Sequence, residues 1–141
     1  MTFEQYMKLN NEDFNRATAA IVEAHFKNQD KQTGEMQVND KICRKIINMF
    51  GTETMLNICM EEPAELIQAI SKMRRLSAKD VSEPIGIERR RNLVEEIADV
   101  SIILTELMII YGIKPHEVQT WIEGKQIRSK ERIRRAEEEG R

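Results

Sequence analysis

Apolar positions recur along most of this chain at intervals of three and four, the period of an α-helix buried on one side. Residues 1–11 form a short lead-in carrying Phe3, Tyr6 and Met7. From Asp13, the residues Phe14, Ala17, Ile21, Ala24 and His25 mark a first helix, and Gly34 marks the loop after it. A second helix is expected to follow the capping pair Asn39-Asp40, running through Ile42, Ile46, Ile47 and Phe50 to a stop at Gly51. Thr52 or Thr54 is placed to cap a third, which holds Leu56, Cys59 and Met60 and continues through Leu66 to Leu76. Residues 77–86 are rich in turn formers (Asp80, Ser82, Pro84, Gly86) and separate it from a fourth helix expected over 88–110. Gly112 and Pro115 end that helix. A last helix is expected over 115–138, with Val118, Trp121, Ile122, Ile127 and Ile133 apolar and Gly124 weakening its middle. The pattern predicts an all-α fold, a helical bundle of four to five helices forming a single domain over 1–141.

The third and fourth helices carry two acidic motifs, Glu61-Glu62-Pro63-Ala64-Glu65 and Glu95-Glu96-Ile97-Ala98-Asp99. Glu62 and Glu65, like Glu96 and Asp99, lie one helical turn apart on one face. At about 100° per residue, Glu62 and Glu65 fall beside Leu66, Ala69, Ile70 and Met73, and Glu96 and Asp99 beside Leu93, Val100, Ile103 and Leu107. Glu61 and Glu95 are rotated away, towards the stripe's edge or solvent. Four acids on apolar faces are costly, because one isolated buried carboxylate already costs several kcal/mol. They are therefore protonated, neutralised by cations, or set in an open cleft. All-oxygen ligands without thiolate or imidazole suit a hard cation, Mg²⁺ first and Mn²⁺ second. Pro63 either kinks a long helix or stands in the first turn of a shorter one; Leu56 and Met60 extend the apolar face upstream and favour the long helix.

The bulk numbers leave that picture in place. Charged residues make up 33% of the chain but the net charge is only −2, so no global field draws it to nucleic acid. The most apolar stretch, 100–111, is too short to span a bilayer and contains Glu106, so no membrane partner is expected. No secretory leader is visible and the two cysteines, Cys43 and Cys59, lack metal-ligand spacing; both read as reduced thiols of a cytoplasmic protein.

Cations held by acids bridge phosphate oxygens, which points to metal-assisted hydrolysis of a phosphoanhydride. Lys72 and Arg75, after the first motif, and Lys125, Arg128 and Arg132 on the last helix are candidates to line a phosphate path; each taken singly also reads as part of a solvated helix face. Arg134 and Arg135 read as solvated only. The two histidines, His25 and His116, do not stand three residues after a Glu, which argues against a di-iron carboxylate bundle. No P-loop or dinucleotide-binding glycine motif is present.

At these motifs the chain resembles the MazG-like, all-α nucleoside triphosphate pyrophosphohydrolase superfamily. The resemblance rests on Glu62-Pro63-Ala64-Glu65 and Glu96-Ile97-Ala98-Asp99 with their flanks, and covers about 56–110. The segment 125–132 is similar to a basic patch that often follows. The chain departs from the family pattern in a longer segment between the motifs and in Pro63. The resemblance implies Mg²⁺-dependent cleavage of a (deoxy)nucleoside triphosphate between its α- and β-phosphates. It implies Glu62, Glu65, Glu96 and Asp99 as metal ligands and catalytic acids, and a homodimer or homotetramer that completes the catalytic bundle. Phosphoribosyl-ATP pyrophosphatases share these motifs. Asn15, Trp121, Phe14 and Phe26 are candidate base contacts, though core packing is the commoner role for such aromatics. The competing reading is a non-catalytic helical dimerisation module in which the acids pair with residues such as Arg89, Arg91 or Lys125.

Overall fold

The computed structural model describes residues 34–140. Among them stand four helices and no strand: α1 (Asp40–Phe50), α2 (Thr52–Arg74), α3 (Pro84–Ile110) and α4 (Pro115–Glu138). The fold is all-α. The helix expected from Asp13 onward, with Asn15, His25 and the Phe14 and Phe26 aromatics, lies outside the described residues.

Local chemistry sets most of the boundaries. The Asn39 side chain accepts a hydrogen bond from the Ile42 amide at 3.1 Å, capping α1 as expected. Gly51 then turns the chain with φ of 88°, a conformation that a side chain disfavours, and its amide donates to the Ile47 carbonyl at 2.9 Å. Gly51 itself is the cap of α2, without a side-chain bond, which corrects the expected capping by Thr52 or Thr54. α2 runs from there through Pro63 to Arg74 as one long helix, as the apolar face upstream of Pro63 requires. α3 starts four residues earlier than its apolar pattern, because Pro84 occupies a first-turn position where its missing amide costs nothing. The Lys114 amide donates to the Glu117 carboxylate at 2.7 Å, which fixes the start of α4.

Ile47 of α1, Met55 and Ile58 of α2 and Ile103 of α3 form the core, with Ile46, Phe50, Cys59, Val100, Ile109 and Ile110 packed around them. Each such side chain contributes roughly 1.5–3 kcal/mol when fully buried. Two bonds set the pairing of the long helices. The Cys59 thiol donates to the Ile103 carbonyl at 3.7 Å, and Arg89 Nη1 donates to the Lys72 carbonyl at 2.9 Å. The later residue of α2 thus meets the earlier residue of α3, so the helices are antiparallel, as their short connection predicts. α4 buries none of its residues. No described helix is long and apolar enough to cross a membrane.

Candidate metal centre

The register between α2 and α3 decides where the acids meet. Stepping evenly between the Cys59–Ile103 and Lys72–Arg89 anchors sets Glu62 across from Asp99 and Val100, and Glu65 across from Glu96 and Ile97. Glu62, Glu65 and Glu96 each offer one carboxylate oxygen, and the three oxygens lie within 4.8 Å of one another. Asp99 stands outside that tight group yet close enough for its charge to act on Glu62 and Glu96. The acids line the rim of the α2–α3 seam: Glu62, Glu96 and Asp99 are half-buried and Glu65 is exposed. Glu61 and Glu95 face solvent, as the helical wheel predicts.

The electrostatics are those of crowded carboxylates. Burial, then the charges of Asp99, Glu65, Glu96 and Glu61, push the Glu62 carboxyl up to about 7. Burial, then Glu65, Asp99 and Glu95, raise Glu96 to about 7, with Lys72 pulling the other way. Burial, then Glu95 and Glu65, raise Asp99 to about 6. Like charges that share a site disfavour ionisation of each other. Glu62 Oε2 and Glu96 Oε2 are buried without a hydrogen-bond partner. Ion pairs among the described residues include Arg44–Asp40, Arg134–Glu131, Arg134–Glu138 and Arg135–Glu131, and none of these involves the four acids.

This donor set fits a hard divalent cation. Two oxygens bound to one Mg²⁺ at about 2.1 Å stand no more than about 4.2 Å apart. The three oxygens, within 4.8 Å of one another, come near that spacing. A cation there would also offset the mutual repulsion of the carboxylates.

The basic candidates separate. Lys72 stands beside the site, close enough for its charge to favour ionised Glu96, and Arg89 holds its backbone carbonyl. Arg75 follows α2 as its exposed C-terminal cap. Lys125, Arg128 and Arg132 are exposed on α4, and no described hydrogen bond or ion pair ties their side chains to the acids. Arg134 bonds to Glu131 and Glu138, and Arg135 to Glu131, the solvated arrangement expected of them. Trp121, for which core packing is the commoner expectation beside a base contact, is 68% exposed on α4, a helix that buries none of its residues. Sequence reading treats Glu106 only as an interruption in an apolar run; the structure buries it to 2% exposure. Its position two turns beyond Asp99, on the buried face, is the signal that identifies it.

The chain matches no protein-family model, no curated protein and no solved structure.

Proposed function

We propose that this protein is a Mg²⁺-dependent nucleoside triphosphate pyrophosphohydrolase, with Mn²⁺ as a substitute metal, that converts a (deoxy)nucleoside triphosphate to the monophosphate and pyrophosphate. The convergence of three carboxylate oxygens from Glu62, Glu65 and Glu96 across two helices carries the reading. The acid motifs and their resemblance to the MazG-like superfamily supply the reaction class. Glu62, Glu65 and Glu96 would hold the cation. When bound, Mg²⁺ neutralises phosphate oxygens and lowers the pKa of a coordinated water. Asp99, opposite Glu62 and raised to about 6, is suited to orient a water and accept its proton near neutral pH. Lys72, beside Glu96, would meet the phosphates on the flank of the acid group. Arg75, Lys125 and Arg128 remain candidates for the outer phosphate path.

Pyrophosphate release from a panel of NTPs and dNTPs including dUTP, with Mg²⁺ and with chelator, tests this directly. Metal-dependent release is expected, on one or a few bases. Glu65→Ala and Asp99→Ala should each lower the rate by about 100-fold or more, beyond what loss of an outer partner costs a metal site, while helical circular dichroism is unchanged. Full activity in either variant would sink the assignment. Absence of release from every substrate, with a flat calorimetric titration of Mg²⁺ and Mn²⁺, would favour the non-catalytic association module instead.

A further inference from the structure

We propose that Glu106 makes the packing of α1 on α2 and α3 sensitive to pH: the junction is closed while this side chain is a neutral carboxylic acid, and it opens when the side chain becomes a carboxylate. Glu106 is 2% exposed, and its Oε2 meets no hydrogen-bond partner. It lies one turn beyond Ile103, a core residue, and among Ile102, Ile109 and Ile110 of its own helix. The titratable groups that face it are the Cys43 thiol from α1 and the Cys59 thiol from α2. Burial, then the charge of Glu106, pushes both thiols up, so neither offers a compensating cation or a competing anion near neutral pH. No charged side chain of a described element acts on Glu106 in return; burial alone raises it to about 7.

An unpaired carboxylate in such a place costs several kcal/mol. The chain avoids that cost by keeping the proton or by admitting water. Of the three described helices around Glu106, α1 is the one that yields most readily. It has 11 residues and buries only Cys43 and Ile47, whereas α2 and α3 have 23 and 27 residues and pack along each other. Local opening draws on the elements with least burial. The latch is separate from the acid group on the rim. Glu106 follows Asp99 by two turns, about 10 Å along the helix, and none of the four rim acids acts on it.

The test is hydrogen exchange by mass spectrometry on the full chain from pH 5 to 8, corrected for intrinsic exchange rates. Wild type is compared with Glu106→Gln, a neutral isostere, and with Glu106→Leu, which covers the case in which the carboxamide disturbs the core. The rim acids titrate in the same window, so the readout is the difference between wild type and variant in peptides covering 40–50. One proton held more tightly by the closed form raises the opening constant by up to tenfold per pH unit between about 4.5 and about 7, levelling off above. Wild type should show this extra slope in α1, and both variants should lose it. An equal slope in wild type and in both variants, or a difference spread evenly over α2 and α3, would overturn the proposal.

Discussion

Glu62, Glu96 and Asp99 hold their protons more tightly in the fold than in water, with values near 7, 7 and 6. The native state therefore binds more protons than the unfolded chain between the ordinary carboxylate range and about pH 7. Stability of the metal-free protein should fall as pH rises through that window and level off above it. A bound cation favours the ionised carboxylates, so Mg²⁺ or Mn²⁺ should raise the melting temperature more at pH 8 than at pH 5. Melting curves at both pH values, with and without metal, check the sign; an equal shift at both would count against the acid group as the metal site. Glu62→Gln or Glu96→Gln should stabilise the metal-free protein at pH 8 and abolish the metal-induced shift, since removing one of several crowded charges relieves repulsion and removes a proposed ligand. The identity of these acids was readable from their spacing. Their half-buried setting on the rim was not, because it depends on how far the partner helix covers them.

At the scale of the helices, two glycines with opposite surroundings make a controlled pair. A Cβ at Gly86, in the first turn of α3, would stand 2.3 Å from the Asp80 and Val81 carbonyl oxygens, both backbone atoms. Alanine in a helix is ordinarily worth up to about 1 kcal/mol over glycine. Here the clash reverses the sign, and Gly86→Ala should cost about 1–3 kcal/mol. At Gly124, in the exposed middle of α4, an added Cβ meets nothing within 4 Å. Gly124→Ala should therefore gain roughly 0.5–1 kcal/mol of helix stability. Urea denaturation of both variants measures this: the Gly86→Ala midpoint should fall with an unchanged slope, and helicity of Gly124→Ala should rise. Of the two, only the weakness at Gly124 was legible beforehand. Gly86 reads in the sequence as a turn former, and its helical position under the 77–83 turn emerges from packing.

For the whole molecule, the apolar surface is the unfinished part. Met60, Ile67 and Ile70 of α2, Ile97, Ile102 and Leu104 of α3, and Trp121, Ile127 and Ile133 of α4 are all substantially exposed. α4 extends for 24 residues without burying one, and a helix of that kind draws little stability from tertiary packing. A homo-oligomer, dimer or tetramer, should cover these faces. Sedimentation equilibrium at micromolar concentration should give a multiple of the 16.5 kDa chain mass, and emission of the single tryptophan, Trp121, should shift to the red on dilution. A monomer with invariant emission would leave the exposed stripe as a feature of the single chain.

The helical period, the cap at Asn39, the helix start at Pro115 and the two Glu-x-x-acid motifs are local properties. Spacing along one helix decides them, so the sequence by itself determined an all-α chain with acids on two apolar faces. Which acids converge is not local. It follows from the antiparallel register set by Cys59 against Ile103 and Arg89 against Lys72, and a shift of one turn either way would leave one facing acid pair where this register makes two. The burial of Glu106, near Cys43 of α1 and Cys59 of α2, and the exposure of α4, which buries none of its residues, are outcomes of another kind. Both are settled by contacts between residues far apart in sequence, where hydrophobic burial is shared among helices and no single segment specifies the outcome.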